Sequence, residues 1–200
     1  MQEIISDINV ERNYQAIKSM AFRYLARYST SSANLHKFLL KKLKDYHRKQ
    51  NIDAPLPPES LIQQWEENIA KAINHLENLG YLNDLSYAQY TAKKLVKQGK
   101  SKVIINLKLK EKGLENNKYQ LNNIIHEEPD NIEIYSIIKF IKKKKFAVFS
   151  IKEIDEKAQQ KQLASLYRQG FDSNIIKTVL KWSLEEMLEF LHSFEQSNNL

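Results

Sequence analysis

From Tyr14 onward, the apolar residues Ile17, Met20, Ala21, Tyr24, Leu25 and Tyr28 recur with the 3.6-residue period of one helix face. Residues 1–12 ahead of them read as a loose lead-in. Ser29-Thr30-Ser31-Ser32 interrupts the pattern and offers hydroxyl N-caps to a second helix, which buries Leu35, Phe38, Leu39 and Leu43. Pro55, Pro57 and Pro58 make the stretch from Arg48 to Ser60 an extended linker. A third helix, from about Glu59 to Leu79, sets Ile62, Trp65, Ile69, Ile73 and Leu76 on one side.

The pattern then repeats in shorter form. Asn83 or Asp84 caps a helix reaching about Gln98, with Tyr87, Ala88, Tyr90 and Leu95 as its apolar positions and Gly99 as its end. Residues 103–110 are ambiguous, because the second half alternates with period two as a strand would. They read as helix, since they fill the middle slot of the group, run into a glycine stop and have no partner strand. Leu114 to Ile125 reads as the third helix, burying Leu121, Ile124 and Ile125, and Pro129 closes the group. In the last group Ile134, Ile137, Ile138 and Ile141 line a helix that ends in Lys142–Lys145. Ser150 to Gln169 follows as a helix facing inward with Ile154, Ala158, Leu163 and Leu166. Asp172 or Ser173 caps another, with Ile175, Ile176, Val179, Leu180 and Trp182, and an acidic helix from Leu184 to Phe194 ends the chain. No helix reads as apolar all round.

Three of the four glycines stand four residues after a leucine and just before a large apolar residue: Leu76–Gly80–Tyr81, Leu109–Gly113–Leu114 and Leu166–Gly170–Phe171. Glycine enters the left-handed C′ position without a Cβ clash, and the next residue folds back on the leucine. The expected fold is therefore all-α: tandem three-helix, helix-turn-helix-like repeats over 14–80, 81–128 and 131–182, stacked into an elongated, curved array, with 183–200 as an acidic C-terminal helix.

Composition narrows the chemistry. With 42% hydrophobic residues a core can form, and without cysteine no disulfide, thiolate metal site or cysteine nucleophile exists. The N-terminus lacks the apolar core of a signal peptide, and no run approaches the roughly 18 apolar residues of a membrane span, so a cytoplasmic protein is expected. No two of the five histidines lie three or four residues apart. No phosphate-binding glycine loop, zinc-protease motif or nucleophile motif occurs. His126 beside Glu127 and Glu128 reads as a surface loop. The expectation is a protein without catalytic residues, metal or cofactor.

Charge points to a polyanionic partner. Eight lysines against one acid fall between Lys93 and Lys112, and the −4 segment from Ser183 leaves +11 on the rest of a chain of net +7. The candidate contacts are Arg23 and Arg27 on the first helix, and Lys37 and Lys41 on the second. Further along are Lys93, Lys94, Lys97, Lys100, Lys102 and Lys108, then Lys142, Lys143 and Lys144. Lys100 and Lys102 flank a helix start, where free N–H groups and the dipole favour phosphate. Such contacts hold the DNA backbone without reading sequence. A basic helix-turn-helix transcription regulator is the alternative reading.

Leu79-Gly80-Tyr81-Leu82-Asn83-Asp84, then Tyr87-Ala88, Gly99-Lys100, Ile105, Leu109 and Lys112-Gly113-Leu114 resemble the RecX family of recombination regulators. Ala21 to Arg27 and Leu166 to Asp172, with Ile175-Ile176 and Val179-Leu180, extend the resemblance over roughly residues 14–182. The chain departs from the family at Ile104, where an arginine is usual, and at Lys108, where a glutamate is usual. The resemblance implies an all-helical monomer that binds the RecA protein, its RecA–DNA filament, and single- and double-stranded DNA. It also implies modulation, usually inhibition, of RecA in recombination, DNA repair and the SOS response.

Overall fold

The computed structural model describes residues 2–52, 56–114, 128–151 and 153–198. Among them are nine α-helices and no strand. The helices are α1 (Gln2–Leu25), α2 (Ser32–Gln50), α3 (Glu59–Asn78), α4 (Asp84–Lys97), α5 (Lys102–Glu111), α6 (Pro129–Lys144), α7 (Glu156–Arg168), α8 (Ser173–Val179) and α9 (Leu184–Asn198). The helix expected over 114–125 lies outside the described residues, apart from Leu114. The chain forms two compact units, Met1–Tyr87 and Ala88–Leu200.

In the first unit α3 packs against both α1 and α2. Ile17 and Ala21 of α1 meet Leu35 and Leu39 of α2 and Ile69, Ala72 and Leu76 of α3 in a fully buried core. The 3.6-period stripes dictate this arrangement, because each helix has one apolar side and only three helices close the core. Residues 2–12 belong to α1, where a loose lead-in was expected. Ser31 is the N-cap of α2, its hydroxyl accepting from Asn34 N at 3.2 Å. Ser32 ties the unit's end in place: its N–H donates to Asp84 Oδ1 at 2.8 Å and its hydroxyl to Glu77 Oε1 at 2.7 Å.

Two of the three leucine–glycine stops close with the expected pair of hydrogen bonds, and the third keeps only Gly170 N to Tyr167 O at 2.8 Å. Tyr81 N donates to Leu76 O at 3.0 Å and Gly80 N to Glu77 O at 2.9 Å, the paired hydrogen bonds of a Schellman end. Leu114 and Gly113 repeat them at Leu109 and Lys110. A further stop carries no glycine. Lys145 takes φ 55°, and Phe146 N donates to Ile141 O at 2.9 Å.

The second unit is organised around α6, which packs against α8 and α9. Among the described residues no helix is apolar on every side, but α6 is buried on most sides: residues 132, 133, 135–138, 140 and 141 are all buried, Glu133 and Ser136 among them. Gly99, at the end of α4, lies directly on its backbone. A Cβ there would stand 2.8 Å from Phe140 N and 3.0 Å from Ser136 O. Residues 102–111 are helical, so the strand-like alternation was overridden; Ser101 caps them by accepting from Ile104 N. The helix expected from Ser150 begins later, at Glu156. Asp155 is the better cap, its carboxylate accepting from Ala158 N at 2.6 Å, and a 3-10 turn at Ala147–Phe149 fills part of the gap.

Candidate nucleic-acid interface

In the first unit the expected cations are all exposed. Arg23 and Arg27 stand one turn apart at the end of α1, and Lys37 and Lys41 one turn apart on α2. The second unit divides its own set. Lys94, Lys97, Lys142, Lys143 and Lys144 are exposed, the last three in the final turn of α6, where they also complement the helix dipole. Lys93, Lys100 and Lys102 are drawn into the structure, and Lys108 is exposed but paired. Lys93 is half-buried and donates to Asn198 O at 3.2 Å. Lys100 is half-buried. Lys108 pairs with Glu111 at 2.7 Å. Lys102 stands 3.7 Å from both Asp130 Oδ1 and Glu133 Oε2.

The start of α5, read from sequence as a phosphate seat, already faces a carboxylate. Glu133 of α6 accepts from Lys102 N through Oε2 at 3.4 Å and from Asp172 N through Oε1 at 3.1 Å. Burial pushes its carboxyl above the usual range, against the pull of these donors and of the Lys102 ammonium. One buried acid therefore occupies the starts of two helices, a role for which periodicity carries no signal.

The acidic C-terminal helix docks on basic and aromatic groups of α6. Glu195 Oε1 accepts from the Tyr135 hydroxyl at 2.7 Å and from Lys139 Nζ at 3.1 Å. The Tyr135 ring, fully buried, stacks on Phe194 at 4.6 Å. Burial chiefly, then the Glu195 contact, raises the Tyr135 phenol, while the Tyr135 hydrogen bond holds Glu195 below the usual carboxylate range. Ionised Glu195 thus stabilises the second unit above pH 4.5, and that contribution is lost as pH falls through its lowered value. Because the side chain is 37% exposed, Glu195→Gln is expected to cost only about 1 kcal/mol at pH 7. Thermal melts of the two proteins should draw together as pH falls below 4.5; a deficit that grows towards low pH would sink the assignment.

Sequence reasoning placed aromatic rings in the core, and for Trp65 this holds. It missed Tyr28, Tyr46 and Tyr90, which are 57%, 66% and 64% exposed. Among the described residues no cluster of acidic and histidine side chains could hold a metal, and no helix is long and apolar enough to cross a membrane.

No family model matches the chain. A curated relative, "Regulatory protein RecX" of Myxococcus xanthus, is 28% identical over 172 residues, covering 82% of this chain and 83% of that one. The fold matches the crystal structure of RecX from Lactobacillus salivarius with a TM-score of 0.59 at 20% identity, over 86% of this chain and 96% of that one. A second crystal structure of regulatory protein RecX matches with a TM-score of 0.62 at 18% identity, over 91% of this chain and 78% of that one. Motifs, overall sequence and fold thus agree.

Proposed function

We propose that this chain, a RecX-family protein, regulates the RecA recombinase without catalysing a reaction itself. In this reading it acts as a cytoplasmic monomer that binds RecA and its nucleoprotein filament, touches the DNA backbone, and inhibits RecA in recombination and repair. One observation carries the reading: similarity in sequence and fold to RecX proteins runs through more than four-fifths of the chain. The exposed cations Arg23, Arg27, Lys37, Lys41, Lys94, Lys97 and Lys142–Lys144 support the DNA contact, since ammonium and guanidinium groups at a surface release counterions from phosphate without reading bases. Tandem three-helix repeats over 14–80, 81–128 and 131–182 would present such cations along a filament groove.

The test is RecA's DNA-dependent ATP turnover, titrated with this protein, together with co-sedimentation on preformed filaments. Turnover should fall as protein is added and level off once filament sites are filled. Unchanged turnover with no protein in the filament pellet would remove the RecA reading.

A further inference from the structure

The first unit contains a recessed, positively charged lane. One cleft, of about 920 Å³, runs between α1, the last turns of α2 and the start of α3, with Ala16 and Ser19 on one wall and Trp65 lining it from α3. A second cleft lies along the end of α1 and is lined by Arg27, Tyr28 and Phe38. Both are lined by Met20, Arg23 and Lys42, so the two form one continuous lane. From Asn13 to Tyr28 it follows α1 for about 20 Å at the helical rise per residue.

Its chemistry is one-sided. Arg23, Arg27, Lys42, Arg48 and Lys49 line it, and the single acid among the lining residues, Asp45, is paired with Arg48 at 3.1 Å. The two most exposed aromatic rings of the lining, Tyr28 and Tyr46, belong one to each cleft. The Nδ1 atom of His47 is buried in the larger cleft without a partner, its ring edge-on to Trp65 at 6.1 Å. Cations spaced along a groove track a phosphodiester chain, and exposed rings offer faces on which bases stack. A duplex hides its base faces, so a lane with tyrosines at intervals suits an unpaired strand.

We propose that this lane binds single-stranded nucleic acid, with phosphates on Arg23, Lys42 and Lys49 and bases on Tyr28 and Tyr46. The proposal rests on the DNA-binding part of the reading above and assigns that binding to the first unit, not to the lysine-dense segment of the second.

Fluorescence anisotropy with labelled oligo(dT), and with a duplex of equal length, tests it on the full chain across a salt series. Tyr28→Ala with Tyr46→Ala should weaken oligo(dT) binding about tenfold or more and leave duplex binding unchanged. Arg23→Ala, Lys42→Ala and Lys49→Ala together should make the log–log salt slope on oligo(dT) shallower by about 2. All five side chains are exposed, so Trp65 fluorescence melts should confirm an intact first unit. If the wild-type chain binds oligo(dT) and both variants bind it equally well, the lane is overturned while DNA binding stands. If the wild-type chain binds neither polymer at low salt, DNA binding falls with it, and the ATP-turnover assay judges the RecA reading separately.

Discussion

Gly99→Ala should be among the most damaging single substitutions in the second unit, costing about 2–5 kcal/mol. Two effects add. The residue sits at φ 69°, a left-handed conformation that costs an L side chain roughly 1–2 kcal/mol. The new Cβ would also stand 2.8 Å from Phe140 N, and that neighbour is backbone of a buried helix, which cannot swing aside. α4 and α6 would have to part, loosening Val96 and Phe140, with an overpacking cost of about 1–3 kcal/mol. Gly80→Ala is the internal control. Its φ is nearly the same at 74°, but nothing lies within 4 Å of the added Cβ, so it should lose only the backbone share. The tryptophans separate the readouts, since Trp65 lies in the first unit and Trp182 in the second. Melts of the Trp65→Phe and Trp182→Phe backgrounds, each with its glycine variant, give the two losses. Equal losses at the two glycines would refute the close approach of α4 to α6.

The stops that these glycines make were legible because glycine at a left-handed position is a local requirement. So were the amphipathic stripes of α1, α2 and α3, where one buried side leaves a 3.6 period. Legibility failed where the cause was not local. Lys145 makes the same helix end as Gly80 but carries no mark of it; the Phe146 N to Ile141 O hydrogen bond closes it, and the Phe146 ring meets Phe140 edge-on. α6 shows a weak stripe because neighbours surround it, and a helix buried on most sides has no period to display. The lysine cluster reads from sequence as free charge, since sequence counts charges but does not show that Lys93, Lys102 and Lys108 already have partners. Conversely, Tyr28 looked like an ordinary apolar position, and Tyr46 lay outside the stripe read for the second helix. Their exposure depends on how the helices pack, Tyr28 beside Phe38 and Tyr46 in the cleft with Asn13 and Ala16, which involves residues remote in sequence.

Glu133→Ala is the second large effect expected, about 3 kcal/mol at pH 7. The carboxylate is buried and holds the N–H groups of Lys102 and Asp172, which belong to the starts of α5 and α8. Removing it strands two backbone donors, while the Lys102 ammonium keeps Asp130 at 3.7 Å, and an unpaired buried donor costs about 1–3 kcal/mol. Neither helix can recover the loss locally, because the Ser101 and Asp172 side chains already serve other N–H groups. Glu133→Gln should do less harm, since it keeps one acceptor, and its pH dependence carries the sharper test. Burial raises the Glu133 carboxyl, so the protonation-linked part of its contribution is fully present below pH 4.5 and is lost as pH rises through the raised folded value, while the acceptor part remains at pH 7. Glutamine does not titrate. Its deficit relative to glutamate should therefore be largest near pH 4 and shrink towards pH 7, the opposite trend from Glu195→Gln. Melts followed by Trp182 fluorescence at several pH values would decide it. A deficit that grows with pH would mean that the donors around Glu133 outweigh its burial, and that this carboxylate holds the unit together mainly by its charge.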